Sequence, residues 1–152
     1  MIRIEKILCP VDFSDCSEKA VTYAVALAER FAAQLHLLHV LDMRIYSHLE
    51  PLAGSGWSVH DIEGDVVDDL EELVRPEDRG AIDVDTVVRK GNPFVEIVTF
   101  AKDEGIDLIV IGTHGRTGLK HMLIGSVAER VVRRAPCPVL TIRPDERDFV
   151  TP

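Results

Sequence analysis

The chain is poor in aromatics, at 5% of 152 residues, and has only three cysteines. Cys9, Cys16 and Cys137 are odd in number and form no Cys-x2-Cys pair. Neither a disulfide framework nor a zinc knuckle is indicated. Long apolar runs are missing too. Val21 to Ala28 is too short to cross a membrane and contains Thr22 and Tyr23. The opening Met1-Ile2-Arg3-Ile4-Glu5-Lys6 lacks a secretory apolar core. Basic residues are outnumbered, 17 Lys and Arg against 26 Asp and Glu, for a formal charge of −9. That balance argues against nonspecific nucleic-acid binding. A cytoplasmic protein that leaves nucleic acid and membrane alone is the expectation. Gly-x4-Gly-Lys-Ser/Thr is absent, which excludes the phosphate loop of the common nucleoside triphosphatases.

What is present suits one domain of ordinary size, 46% hydrophobic. Short apolar runs alternate with helical patterns. Ile4 to Cys9 and Leu35 to Leu41 read as strands. Between them Ser14 or Asp15 caps a helix reaching about Ala33, with Ala20, Val21, Ala24, Leu27, Ala28 and Phe31 at helical spacing. Residues 42–60 have no clean period. From Asp61 the residues Ile62, Val66, Val67, Leu70, Leu73 and Val74 share a helical face, with a solvated acidic face from Glu63 to Glu72. Ile82 to Val88 alternates apolar and polar, as an edge strand does, whereas Leu108 to Ile111 is apolar throughout and reads as interior. Asn92-Pro93 opens a helix that Gly105 ends. Such alternation predicts a parallel sheet with helices on both faces.

The most informative stretch runs from Gly112 to Ser126, between an apolar strand and the helical Val127 to Arg133. Glycines there admit close backbone approach, and the free amides of a helix start favour an anion. The stretch holds Arg116, Lys120, His114 and His121 but no acid, in an acidic protein. Its glycines do not follow the Gly-x-Gly-x2-Gly of dinucleotide folds.

The spacing Gly112-x2-Gly115-x9-Gly125-Ser126 resembles the ATP-binding signature of the universal stress protein family. Cys9-Pro10-Val11-Asp12-Phe13-Ser14, Lys90-Gly91-Asn92-Pro93 and Pro136-Cys137-Pro138-Val139-Leu140 match the same family in the same order. The resemblance covers about residues 3–143. It implies one domain over 1–143, with a polar tail over 144–152. The implied fold is a doubly wound five-stranded parallel sheet, order 3-2-1-4-5, of the adenine nucleotide alpha hydrolase type. It further implies ATP across the carboxyl ends of strands one, two and four. Adenosine would lie near Asp12 and the backbone of Val40, and phosphates on Gly115, Gly125 and Ser126. Pro10, Val11, Ile111, Gly112, Arg116 and Val127 complete the expected site, and Mg2+ arrives with the nucleotide. The family's role is a stress-response module set by nucleotide binding.

Plainer readings compete. Asp12 can serve as a partner for the helix start that follows it. Ser126-x2-Glu129 reads as a capping box that needs no ligand. His36 and His39, three apart on a strand, face opposite ways and cannot share a metal. Cys9 is by default a small buried hydrophobe. Two other functions stand behind the ATP-binding module: a slow ATPase or nucleotide hydrolase, and a dimeric scaffold without nucleotide. Pro138 to Ile142 is apolar, and in the implied order it forms a sheet edge that a second copy could cover. Replacing Leu140 or Ile142 with Lys is expected to break such a homodimer.

Overall fold

The computed structural model describes residues 1–47, 59–115 and 124–145. Strands and helices follow in the order β1 (Lys6–Pro10), α1 (Asp15–Phe31), β2 (Gln34–Asp42), α2 (Met43–Tyr46), α3 (Val59–Glu72), α4 (Pro76–Arg79), β3 (Val84–Gly91), α5 (Pro93–Asp103), β4 (Leu108–Gly112), α6 (Ser126–Arg134) and β5 (Val139–Ile142). All strand pairs are parallel, in the order β3-β2-β1-β4-β5. The resemblance implied that order.

Local chemistry explains most boundaries. The Ser14 hydroxyl accepts the Ser17 N–H at 3.3 Å and starts α1. Asn92 accepts the Val95 N–H, and Pro93 takes the first helical position of α5. Gly105 follows that helix with φ of 64°, a conformation open to glycine.

The sheet buries both faces. On one side Ile7, Cys9, Leu35, Leu37 and Leu41 pack against Ala20, Ala24 and Ala28 of α1 and Val66 and Leu70 of α3. On the other, Leu8, Leu38, Ile109 and Ile111 pack against Ile97, Phe100 and Ala101 of α5 and Ala128 and Val131 of α6. Small residues on α1 let that helix lie close over β1 and β4.

Several boundaries differ from the sequence reading. β3 is an edge strand as expected, yet it begins at Val84, leaving Ile82 and Asp83 in the approach. Asp42 belongs to β2, and Met43 to Tyr46 make a helical turn in the stretch without a period. Asp42 accepts the Arg44 N–H at 3.0 Å and so caps that turn. Glu63 leaves the solvated acidic face to pair with Lys90 of β3 at 2.5 Å. His36 and His39 do face opposite ways. His36 meets Asp85 and Phe100, whereas His39 lies against Phe13.

Candidate functional site: a cleft over the end of the central strand

The central strand ends first. β1 stops at Pro10, paired with Leu38 of β2, and the Val11 N–H still reaches the Leu38 carbonyl at 2.8 Å. β2 continues to Asp42 and β4 to Gly112. Their carboxyl ends therefore flank a gap. The gap also marks the reversal of chain direction, because the connection through α1 leads to β2 and that through α5 leads to β4. Ligands of open α/β sheets bind at such a reversal.

A cleft of about 310 Å³ fills this position. Pro10, Val11, Asp12, Val40, Ile111, Gly112, Gly115, Gly125, Ser126 and Val127 all line it. Arg116, with Lys120 and His121, lies outside the described residues. One flank is apolar: Leu38, Val40, Ile97, Ile111, Val127 and Ala128. Val40 reaches it through backbone as well as side chain. In a parallel strand the groups of one residue point to one side, alternating along the chain. Leu38 turns its carbonyl toward β1, so Val40 does too. No β1 residue is registered opposite Val40, so its N–H and C=O border the cleft.

The opposite flank is polar. Asp12 Oδ1 accepts hydrogen bonds from the Ser14 N–H at 3.0 Å and from the Ser14 hydroxyl. The plainer role of Asp12, organising the start of α1, is thus real and occupies one of its oxygens. The other, Oδ2, lies where a Cβ on Gly115 would stand. Gly115 is needed because the Asp12 carboxylate rests against its backbone. Phe13 adopts φ of 61°, a sparsely populated conformation for a bulky residue. Its ring lies 4.9 Å from that of His39, and His39 Nδ1 donates to the Val11 carbonyl at 2.7 Å. A donor on that nitrogen fixes the tautomer.

The third side is the start of α6. Its first amides, from Ser126 onward, have no intrahelical acceptor. Here the capping reading fails. Gly125, not Ser126, is the N-cap, and among the described residues no side chain caps the helix. Ser126 already has helical geometry, which takes its hydroxyl away from the cap position. Glu129 pairs instead with Arg133 at 3.0 Å.

Two glycines carry packing duties that the sequence did not disclose. A Cβ on Gly112 would stand 3.0 Å from both the carbonyl oxygen and Sγ of Cys16 in α1. A Cβ on Gly125 would stand 3.0 Å from the Thr113 carbonyl oxygen, the acceptor of the Gly125 N–H. A side chain there would press on the loop backbone rather than project cleanly into the cleft. Ser17, His39, Asp42, Arg44, Ile45, Pro93 and Thr113, none of them in the expected site, also line the cleft. Of these, only Asp42 and Arg44 had a usable signal, their two-residue spacing at the end of an apolar strand. Cys9 is buried beneath the cleft, and burial pushes its thiol far above the ordinary value. It is a core residue, not a nucleophile.

Residues 3–143 match the family model described as the universal stress protein family. The chain belongs to the universal stress protein family. Universal stress protein MJ0577 of Methanocaldococcus jannaschii is 36% identical, over 93% of this chain and 96% of that one. The structure of universal stress protein UspA from Lactobacillus plantarum gives a TM-score of 0.79 at 34% identity, covering 93% of this chain and 99% of that one. A universal stress protein from Archaeoglobus fulgidus, solved in complex with dAMP, gives a TM-score of 0.62 at 22% identity, covering 93% and 99%. At that identity the last likeness speaks for the fold. Among the described residues no helix is long and apolar enough to cross a membrane.

The Gly112 contacts generate a prediction. Gly112→Ala forces a methyl group against the first turn of α1 and is expected to lower stability by about 1–3 kcal/mol. Urea unfolding followed by circular dichroism measures this. An unchanged midpoint would mean that the contact relaxes at no cost.

Proposed function

We propose that the protein binds ATP in this cleft and acts as a nucleotide-controlled regulatory module of the stress response, in the cytoplasm. One observation carries the reading. A strand edge at Val40 and the first amides of α6, without backbone partners among the described residues, border a single cleft with a carboxylate at Asp12. The strand edge offers one donor and one acceptor, as the edge of adenine requires. Asp12 accepts from ribose hydroxyls. Gly115, Ser126 and Val127 bring backbone N–H groups to the phosphates, Gly125 allows their close approach, and Arg116 is a charged partner. That the Archaeoglobus relative was solved with dAMP fits an adenine nucleotide in this fold.

Mg2+ would come with the nucleotide. It typically takes one or two carboxylates besides phosphate oxygens and water. The acids lining the cleft, Asp12 and Asp42, are already bonded to Ser14 and Arg44. Asp12, beside Gly115, is the one placed near the phosphate end.

Asp12→Asn keeps the acceptor for Ser14 and removes the charge. It is expected to weaken ATP binding about tenfold, as the loss of a charge-assisted hydrogen bond does. Arg116→Ala is expected to cost about 1–2 kcal/mol of binding. Titration calorimetry reads both, and affinities equal to wild type would remove these residues from the site.

Hydrolysis is the second reading. It needs a group that positions or deprotonates water near the phosphates. His114 is in the loop, with Nδ1 2.8 Å from Thr113 Oγ1, which favours a local structural role. Phosphate release is expected far below the usual enzyme range of about 1–1000 per second. A steady-state rate inside that range would promote the enzyme.

The same proposal includes a homodimer. β5 is a sheet edge, and among the described residues nothing pairs with its outer side. A second copy can complete it around a two-fold axis. Leu140 is 37% exposed there, whereas Ile142 is 1% exposed and belongs to the core. Lys at 142 would therefore unfold the protein before it informed on assembly, so the test belongs to Leu140. Leu140→Lys is expected to shift the protein from dimer to monomer in light scattering. A wild type that is monomeric at micromolar concentration would overturn the interface.

A further inference from the structure

Asp42 is a second carboxylate in the cleft, and the nucleotide reading leaves it without a task. Side chains two apart on a strand share a face. Asp42 thus follows Leu38 and Val40 on the side that carries α5 and α6, and all three line the cleft. Its side chain is only 14% exposed, against 75% for Arg44. Arg44 donates from its backbone N–H and Nε to Oδ1, both at 3.0 Å, and from Nη2 to Oδ2 at 2.6 Å. The pair presents a fixed carboxylate inward and a guanidinium to solvent. Hydrogen bonds from Arg44 hold the Asp42 carboxyl below its ordinary range, so it stays ionised at neutral pH.

Capping α2 needs only Oδ1. The forked grip of Arg44 on both oxygens goes further and fixes the plane of the carboxylate. An ionised carboxylate is acceptor-only, with about four acceptor sites, so Arg44 does not exhaust it. Next to the base-binding edge at Val40, such a group favours a ligand that offers a donor and penalises one that offers an acceptor.

We propose that Asp42, locked by Arg44, is a base-selecting residue of the cleft: it favours a purine with an exocyclic amine at position six over a 6-oxo purine. This rests on the ATP reading above. Val40 selects through backbone that no substitution removes, so the Asp42 contribution appears as a change in the ratio of two affinities.

Titration calorimetry of the full chain with ATP and with ITP tests it. The two ligands share ribose and triphosphate and differ at position six. Asp42→Asn keeps the cap, because Asn caps as well as Asp, and adds an N–H that can donate to a 6-oxo group. The wild-type preference for ATP over ITP is expected to fall about tenfold in Asp42→Asn, the worth of one charge-assisted bond. It is expected to fall by a smaller factor in Arg44→Gln, where the carboxylate remains but is released. An unchanged ratio in a folded Asp42→Asn refutes the proposal. If that variant fails to fold, Arg44→Gln decides, and an unchanged ratio there refutes it equally. A wild type that binds neither nucleotide overturns the ATP reading and this inference with it. A wild type that binds ATP with unmoved variant ratios overturns the inference alone.

Discussion

The cleft depends on the early end of the central strand. β1 yields its place in the sheet at Pro10, while β2 runs on to Asp42 and β4 to Gly112. A parallel strand that loses a neighbour keeps its amides and carbonyls pointing into the space left behind. Val40 borders the cleft through its backbone in this way, without any polar side chain. The same exit carries Asp12 over the gap and into the start of α1. Phe13 bears the cost of the turn with its positive φ. The Asp12 bonds to Ser14 and the His39 bond to the Val11 carbonyl hold that turn in place.

Charge is arranged against the grain of the whole molecule. A net charge of −9 repels phosphate at long range. The loop before α6 contains no acid, and the α6 amides supply partial positive charge at short range. Of the two carboxylates that line the cleft, Asp42 stands beyond Val40 at the end of β2, whereas Asp12 reaches across to Gly115. Gly115 and Asp12 illustrate how tightly the two halves meet, since the glycine has no side chain where the carboxylate lies.

Much of the fold was legible because local chemistry and burial agree. Asn92-Pro93 and Gly105 bracket α5 as their chemistry requires. The apolar run of β4 belongs to an interior strand and the mixed run of β3 to an edge. The errors have a common cause. Ser126 and Glu129 have capping-box spacing, yet the chain enters α6 one residue earlier, at Gly125. Leu140 and Ile142 are indistinguishable as apolar residues in sequence. They share one face of the final strand, but α1 covers Ile142 and leaves Leu140 exposed. Gly112 and Gly125 look like ligand-facing glycines, and each is also held by a close backbone neighbour.

The sequence by itself determined the alternation of strands and helices, because periodicity and capping are local properties, and its motifs, through their resemblance to a family, pointed to ten residues that share one cleft. Tertiary structure alone decided which backbone edge borders the cleft, which of two apolar residues is left exposed, and that Asp42 and Arg44 belong to the cleft. Those outcomes depend on where strands of different length stop beside one another. No residue carries that information, because the end of β1 has meaning only against β2 and β4, which run past it on either side.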